Sequence, residues 1–331
     1  MNIVIDGMNV SLELLNSQRY RNMEVIPVRI KNNGHKDYLT LKRGISAGFV
    51  DITECEVSTV GTVLARNKAN VPLVLIDGDE IVGAKQNRIM NRSLIVPPLT
   101  TMEVSVSCTE QGRWHYGRTG DIYFDEDRDM AHFRYSDVAA DFSTRRNKSH
   151  DLFERKSCQS TVWDSIHDLE RRTAFRSRTS ALHDNFINHK PRLDRYLKNF
   201  HVEYGQYGAI FIINGEIKGL ELFANPSIYQ DYHEKIFKSY IMEAIVDFRI
   251  NRCRDDVWEF LREISHSEFR TSRWEGIGRH LQFANDFGYG AALFDGCSLV
   301  HLNYFSSGKS RTIRRKPGRR YGTFRDFVDD C

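Results

Sequence analysis

LVLIDGDEIVGA, residues 73–84, is the stretch on which the reading of this chain turns. Two apolar runs meet at an Asp-Gly pair. That dipeptide suits a type I′ turn, whose two central residues both need positive φ. The same device recurs at IVIDGMNVSLEL (3–14), IFIINGEIKGLELF (210–223) and ALFDGCSLVHLNYF (292–305). Each is predicted to be a β-hairpin. The likeness stops at the turn, so local hairpin physics accounts for it without sequence duplication.

Outward from 73–84, residues 23–124 read almost wholly as short strands. EVIPVRI, LTLKRGI, EVSTVGTVLARN, VPLVLI, RSLIVPP and TMEVSVSC are rich in Val, Ile and Thr and are broken by Gly, Pro and Asn. In MEVSVSC, Met102, Val104 and Val106 fall on one side and Glu103, Ser105 and Ser107 on the other. A β-sandwich or partly closed barrel is the natural packing. From about 136 to 200 the pattern turns helical. Val162, Trp163, Ile166 and Leu169 share one helix face, as do Leu182, Phe186, Leu193, Tyr196, Leu197 and Phe200. The polar opening of this region, DFSTRRNKSHDLFERKS (141–157), is expected to be a linker or mobile loop. Asn225-Pro226 then supplies an N-cap and an N1 proline for a long helix, and a second helix spans about 256–265.

The expected class is therefore α+β. It has an N-terminal β-sandwich or partly closed barrel, central helices and a C-terminal hairpin–helix–hairpin region. The expected organisation is a β-rich region over 1–130, a helical region over 131–200, an α+β region over 201–307 that shares the same core, and a basic tail over 308–331. A chain of 331 residues fits one large or two moderate domains.

Hydrophobic content of 40% and charged content of 27% are those of a globular protein. No apolar run approaches the roughly 18 residues that cross a bilayer, and no signal peptide is read, so a cytoplasmic location without membrane contact is expected. The six cysteines, at 55, 108, 158, 253, 297 and 331, form no CxxC or CxxH pair. That argues against structural zinc and for unpaired thiols in a reducing compartment. Net charge is only +3, but KSRTIRRKPGRRYGTFR (309–325) is strongly basic. This tail is a solvated end or an arm for nucleic acid or a protein partner, with Arg311, Arg314, Arg315, Lys316, Arg319 and Arg320 as its phosphate-neutralising residues.

Candidate chemistry gathers at two places. The first follows the 73–84 stretch: Lys85, Gln86, Asn87, Arg88, Asn91 and Arg92 crowd into eight positions. Lys and Arg bring charge suited to phosphate, and Gln and Asn amides both donate and accept to sugar hydroxyls or base edges. A loop whose amides cap its own backbone is the plainer alternative. The second is CTEQGRW (108–114), which brings Glu110, Arg113 and Trp114 into one loop. A carboxylate, an anion clamp and a stacking surface are one reading; an Arg–Glu ion pair beside a half-buried Trp is the other. Cys108 as a nucleophile lacks an adjacent base. His301 in LVHLNYF is a candidate catalytic histidine or a satisfied core residue. Phosphate-loop, HExxH, GxSxG and Rossmann patterns are absent, no cofactor is named by the residues, and no metal set is read: Glu110 and Glu54 lack ligand spacing.

GAKQNRIMNRSLIVPP, VSCTEQGRW, QSTVW (159–163), FANPSIYQDYHEKIFKSYIMEAI (223–245) and ALFDGCSLVHLNYF together resemble the ARG-and-rhodanese-phosphatase-associated protein domain family, over about 20–305. The polar stretch around 140–160 and the basic tail depart from that family. The resemblance implies handling of ADP-ribose or a related nucleotide derivative, and a shared site for the two motifs. On that basis Lys85, Arg88 and Arg113 are expected to hold phosphate and Gln86, Asn87 and Asn91 sugar or base. Trp114 is expected to stack, and Glu110 to act as general acid or base, with His301 as a second catalytic candidate. Three functions stand open: a hydrolase of a small nucleotide-like ligand, a non-catalytic sensor of it, and a nucleic-acid-associated component of a defence or repair assembly.

Overall fold

In the computed structural model, described for residues 1–34, 36–55, 61–114, 132–249, 254–271 and 276–308, the four glycine corners do different jobs. At Asp6-Gly7 (φ 46° and 79°) and Asn214-Gly215 (φ 55° and 81°) both central residues are left-handed, and the flanking strands pair as hairpins. In the last hairpin the loop sits one residue later than Asp-Gly: Asp295 pairs with Ser298, and Gly296 (φ 61°) alone is left-handed. That is the II′ pattern, with glycine at the first central position.

The 73–84 stretch is not a hairpin. Asp79 N donates to Ile76 O at 3.0 Å across a turn with only Gly78 left-handed (φ 79°). The runs on either side pair with other strands. The corner passes the chain from one sheet to another. The cause is tertiary: Asp77 is gripped by Arg145 and Lys148, and its N–H donates to Ser93 Oγ at 2.9 Å.

The strands are β1 (Asn2–Ile5), β2 (Met8–Leu14), β3 (Gln18–Tyr20), β4 (Met23–Ile30), β5 (Leu39–Thr40), β6 (Val50–Glu54), β7 (Thr62–Asn67), β8 (Leu73–Leu75), β9 (Asp79–Gly83), β10 (Arg88–Met90), β11 (Leu94–Val96), β12 (Thr100–Cys108) and β13 (Phe133–Ala139). The C-terminal half adds β14 (Gly208–Ile213), β15 (Glu216–Phe223), β16 (Glu268–Thr271), β17 (Arg279–Asn285), β18 (Gly288–Asp295) and β19 (Ser298–Ser306). The helices are α1 (Leu41–Ser46), α2 (Phe142–Phe153), α3 (Gln159–Thr173), α4 (Leu182–Leu197), α5 (Pro226–Val246) and α6 (Val257–Ser265). The protein is α+β. None of the described helices is long and apolar enough to cross a membrane.

One antiparallel sheet, ordered β1-β2-β4-β14-β15-β19-β18-β17-β16 with β3 beside β4, draws on strands from both halves of the chain. Its central strands are buried on both faces. In β14, Ala209, Phe211 and Ile213 join one core cluster while Ile210 and Ile212 join another. That explains the unbroken apolar run of this strand. The first face is covered by α2–α5, and the second packs against α6. A second unit combines the sheet β13-β9-β10-β12-β7-β6 with the small sheet β11-β8-β5 around a third core. A bridge from Thr53 to His132 links its two outer strands, so it is a partly closed barrel.

Two segments differ from expectation. LTLKRGI, expected as a strand, is two strand residues followed by α1, capped by Thr40 Oγ1 accepting from Arg43 N. The polar 141–157 stretch is not a loop but largely helix α2. Asp141 caps it, accepting from Ser143 N and Thr144 N at 3.0 and 3.3 Å. The helix lacks an apolar stripe because its buried face is ionic. Arg145 reaches Glu221 at 2.6 Å and Asp77 at 3.2 Å, and Lys148 donates to Met90 O at 2.7 Å. The helix thus ties the barrel to the large sheet.

Candidate functional site

The barrel brings the two motif corners together by register. Arg88 opens β10 and pairs with Cys108, which closes β12; Met90 pairs with Val106. The ladder continues past the strand end, where Thr109 N donates to Asn87 O at 2.9 Å. The turn before β10 is made by Gly83 (φ 118°) and Ala84 (φ 43°), and Asn87 Oδ1 closes it by accepting from Gly83 N at 3.1 Å.

Arg113 staples the corners. Its Nη1 donates to Ala84 O at 2.6 Å, and its Nη2 to Glu110 Oε2 at 2.7 Å and to Gly83 O and Asn87 Oδ1 at 3.3 Å. Glu110 also accepts from Asn87 N at 3.3 Å and Thr179 Oγ1 at 3.0 Å. Gln86 Nε2 donates to Glu110 O at 2.9 Å, and Gln86 Oε1 accepts from Arg88 Nη1 at 2.8 Å. The side chains of Gln86, Asn87, Arg88, Glu110 and Arg113 are buried. Arg88 also contacts Cys108 Sγ, and its Nη2 lies 3.8 Å from Glu54. Its Nε and Nη2 find no hydrogen-bond partner. Burial pushes the Cys108 thiol up to about 11 even with the Arg88 guanidinium beside it, so the thiol stays protonated at neutral pH.

The open edge of this cluster is Lys85 and Trp114. Trp114 is 46% exposed. Lys85 Nζ lies 5.5 Å from its ring centroid and Arg88 Cζ 5.6 Å. Asn91 lies further along the ladder, where it donates to Ser105 Oγ at 2.9 Å and accepts from Ser107 Oγ at 2.7 Å. His301 belongs elsewhere. It is buried on β19, with Nδ1 2.8 Å from Ser93 Oγ and Nε2 3.2 Å from Glu221 Oε2, inside the α2 ion network. Arg314, Arg315, Lys316, Arg319 and Arg320 lie outside the described residues.

A family model now bears on this arrangement. The ARG and Rhodanese-Phosphatase-superfamily-associated Protein domain matches residues 11–305, which includes both corners and the strands that hold them. The chain belongs to this family. No curated protein and no solved structure matches it.

Two further residues adjoin this family's motif corners and were not singled out from the sequence. Glu80 on β9 is fully buried and lies 2.7 Å from His183 Nδ1. It accepts from Ser136 Oγ at 2.8 Å and Thr109 Oγ1 at 3.4 Å. His183 stands in the first turn of α4, which docks on the second corner through Leu182 N donating to Thr109 O at 2.9 Å. The pairing spans 103 residues, so no sequence spacing could show it. Among the described residues no group of three or more His, Cys, Asp or Glu side chains is placed to hold a metal ion. Cys55, Cys108, Cys158 and Cys297 form no disulfide with one another.

Proposed function

We propose that the two corners form the binding site of a phosphorylated, ribose-containing nucleotide derivative of the ADP-ribose class, and that the protein hydrolyses it by general acid–base chemistry. The observation that carries the reading is the half-exposed Trp114 with a lysine and an arginine at its ring. The indole offers a stacking surface for a base, and the adjoining cations suit phosphate. Behind it, Arg88 Nε and Nη2 are buried without a hydrogen bond to a described residue, Nη2 lying 3.8 Å from the Glu54 carboxylate, and Nε suits an incoming anion. The Arg113–Glu110 pair holds the two walls in place. Calorimetry with ADP-ribose is the test. Binding is expected, weakened about tenfold or more in Trp114→Ala, since base stacking contributes about 1–3 kcal/mol. Absence of binding to the intact protein removes the proposal.

A second reading, a sensor that binds the ligand without changing it, is favoured by the state of Glu110. Its carboxylate already accepts from Arg113, Asn87 and Thr179. A general base needs access to the proton that it abstracts. Mass spectrometry of ligand incubated with the protein separates the readings: intact ligand beside tight binding supports the sensor, and product supports the enzyme.

A further inference from the structure

A second cluster of titratable groups lies away from Trp114, between α4 and α5. A small cavity of about 50 Å³ there is lined by Asp137, His183, Lys190, Asp194 and Lys238, over an apolar floor that includes Phe186 and Leu193. It adjoins a groove of about 480 Å³ that shares Asp137, Lys190, Asp194 and Lys238 and adds Lys198, His201, His233 and one further carboxylate, Glu234. The groove has the volume of a small-molecule site; the cavity has room for one substituent of such a molecule.

Charge is sorted by depth. The His183 side chain is 14% exposed and that of Lys238 9%, whereas Asp137, Lys190 and Asp194 are 69%, 67% and 51% exposed. Lys190 and Asp194 pair with each other at the rim, 3.0 Å apart, an exposed contact that is easily rearranged. Lys238 is met by Asp137, whose carboxylate and backbone carbonyl both accept from it. One lysine and one histidine thus sit at the inner end, beside one buried carboxylate, Glu80, and one exposed one. His183 is held through Nδ1 by Glu80, at 2.7 Å, and its Nε2 makes no hydrogen bond with a described residue. Burial works to lower the His183 pKa, and the charge and hydrogen bond of Glu80 override it, so the pKa is raised above the ordinary histidine value.

We infer that the inner end of the α4–α5 groove is a phosphoryl-binding site, with His183 Nε2–H and Lys238 Nζ as donors, for a small phosphorylated metabolite whose remainder lies along the groove. A phosphoryl dianion matches the two inner donors and has oxygens enough for both. Asp137 is the group that it displaces from Lys238. The site is independent of the Trp114 reading.

The test uses the full chain, inorganic phosphate as probe, and NMR of the histidine ring protons at neutral pH. Phosphate is expected to shift the His183 signal and that of His201 along the groove, which reports in the variant lacking His183, with binding about tenfold or more weaker in His183→Gln and in Lys238→Met, and unchanged in Trp114→Ala. Lys238→Met acts from a different helix, so a folding defect in one variant does not remove the test. A His183 signal indifferent to phosphate, binding that survives both substitutions, or binding abolished by Trp114→Ala overturns the inference.

Discussion

Replacing Arg113 with methionine tests whether the two motif corners are held by an internal lock. The substitution keeps the volume of the aliphatic stem and deletes the guanidinium. Four acceptors lose a donor: Glu110 Oε2, Ala84 O, Gly83 O and Asn87 Oδ1. Glu110 is left buried with only Asn87 N and Thr179 Oγ1 as donors. Removing one partner of a buried ion pair costs about 3–5 kcal/mol, because the other charge stays in a low-dielectric setting. Adding Glu110→Gln to Arg113→Met removes that stranded charge. The double variant is therefore expected to lose about 1–3 kcal/mol less than the sum of the two single losses. Urea unfolding, followed by both tryptophan fluorescence and circular dichroism to verify a common transition, measures each variant. An Arg113→Met protein within about 1 kcal/mol of the parent, or strictly additive singles, would refute the lock and free Glu110 for a catalytic part.

Three further outcomes follow from the same contacts. His233 is buried against Tyr229, and burial lowers its pKa to about 4 from an ordinary 6.5. A depressed histidine favours the fold above pH 6.5, and that contribution, about 3 kcal/mol, disappears as pH falls toward 4; His233→Gln should flatten the decline in acid titrations of stability. At Gly78, a Cβ would lie 2.8 Å from Arg145 Cδ and Nε, and φ is 79°. Gly78→Ala is expected to cost about 2 kcal/mol or more in denaturant unfolding, and Gly296→Ala, with open space around it, only the cost of its backbone angle. Asp141→Ala removes the α2 cap and should cost about 1–2 kcal/mol, with Asp141→Asn recovering part; an unchanged transition midpoint would show that the ionic face alone holds this helix.

Local rules were legible where the partner was local. Asp6-Gly7 and Asn214-Gly215 specify their own hairpins, because the turn angles and the adjoining strands lie in one short window. The N-cap and N1 proline at Asn225-Pro226 likewise announced α5. The 141–157 segment could not be read this way. Periodicity arguments detect helices through apolar stripes, and α2 buries arginine and lysine against acids on other elements. The residue content of the two motif corners was visible in the chain, and the Arg113–Glu110 ion pair beside a half-buried Trp114 was one of the two readings it offered. The chain did not show that Gln86, Asn87 and Arg88 would be drawn into the same buried network, or that His301 would join a different one.

The sequence by itself determined the α+β composition, three of the four expected hairpins, most helices and the set of polar residues around 85–88 and 110–114. Tertiary structure alone decided that Asp77-Gly78 hands the chain between sheets, that β1–β4 and β14–β19 share one sheet, and that Glu80 finds His183. Turn and cap preferences are properties of a few consecutive residues, whereas ion pairs between distant elements depend on where the whole chain has already placed them.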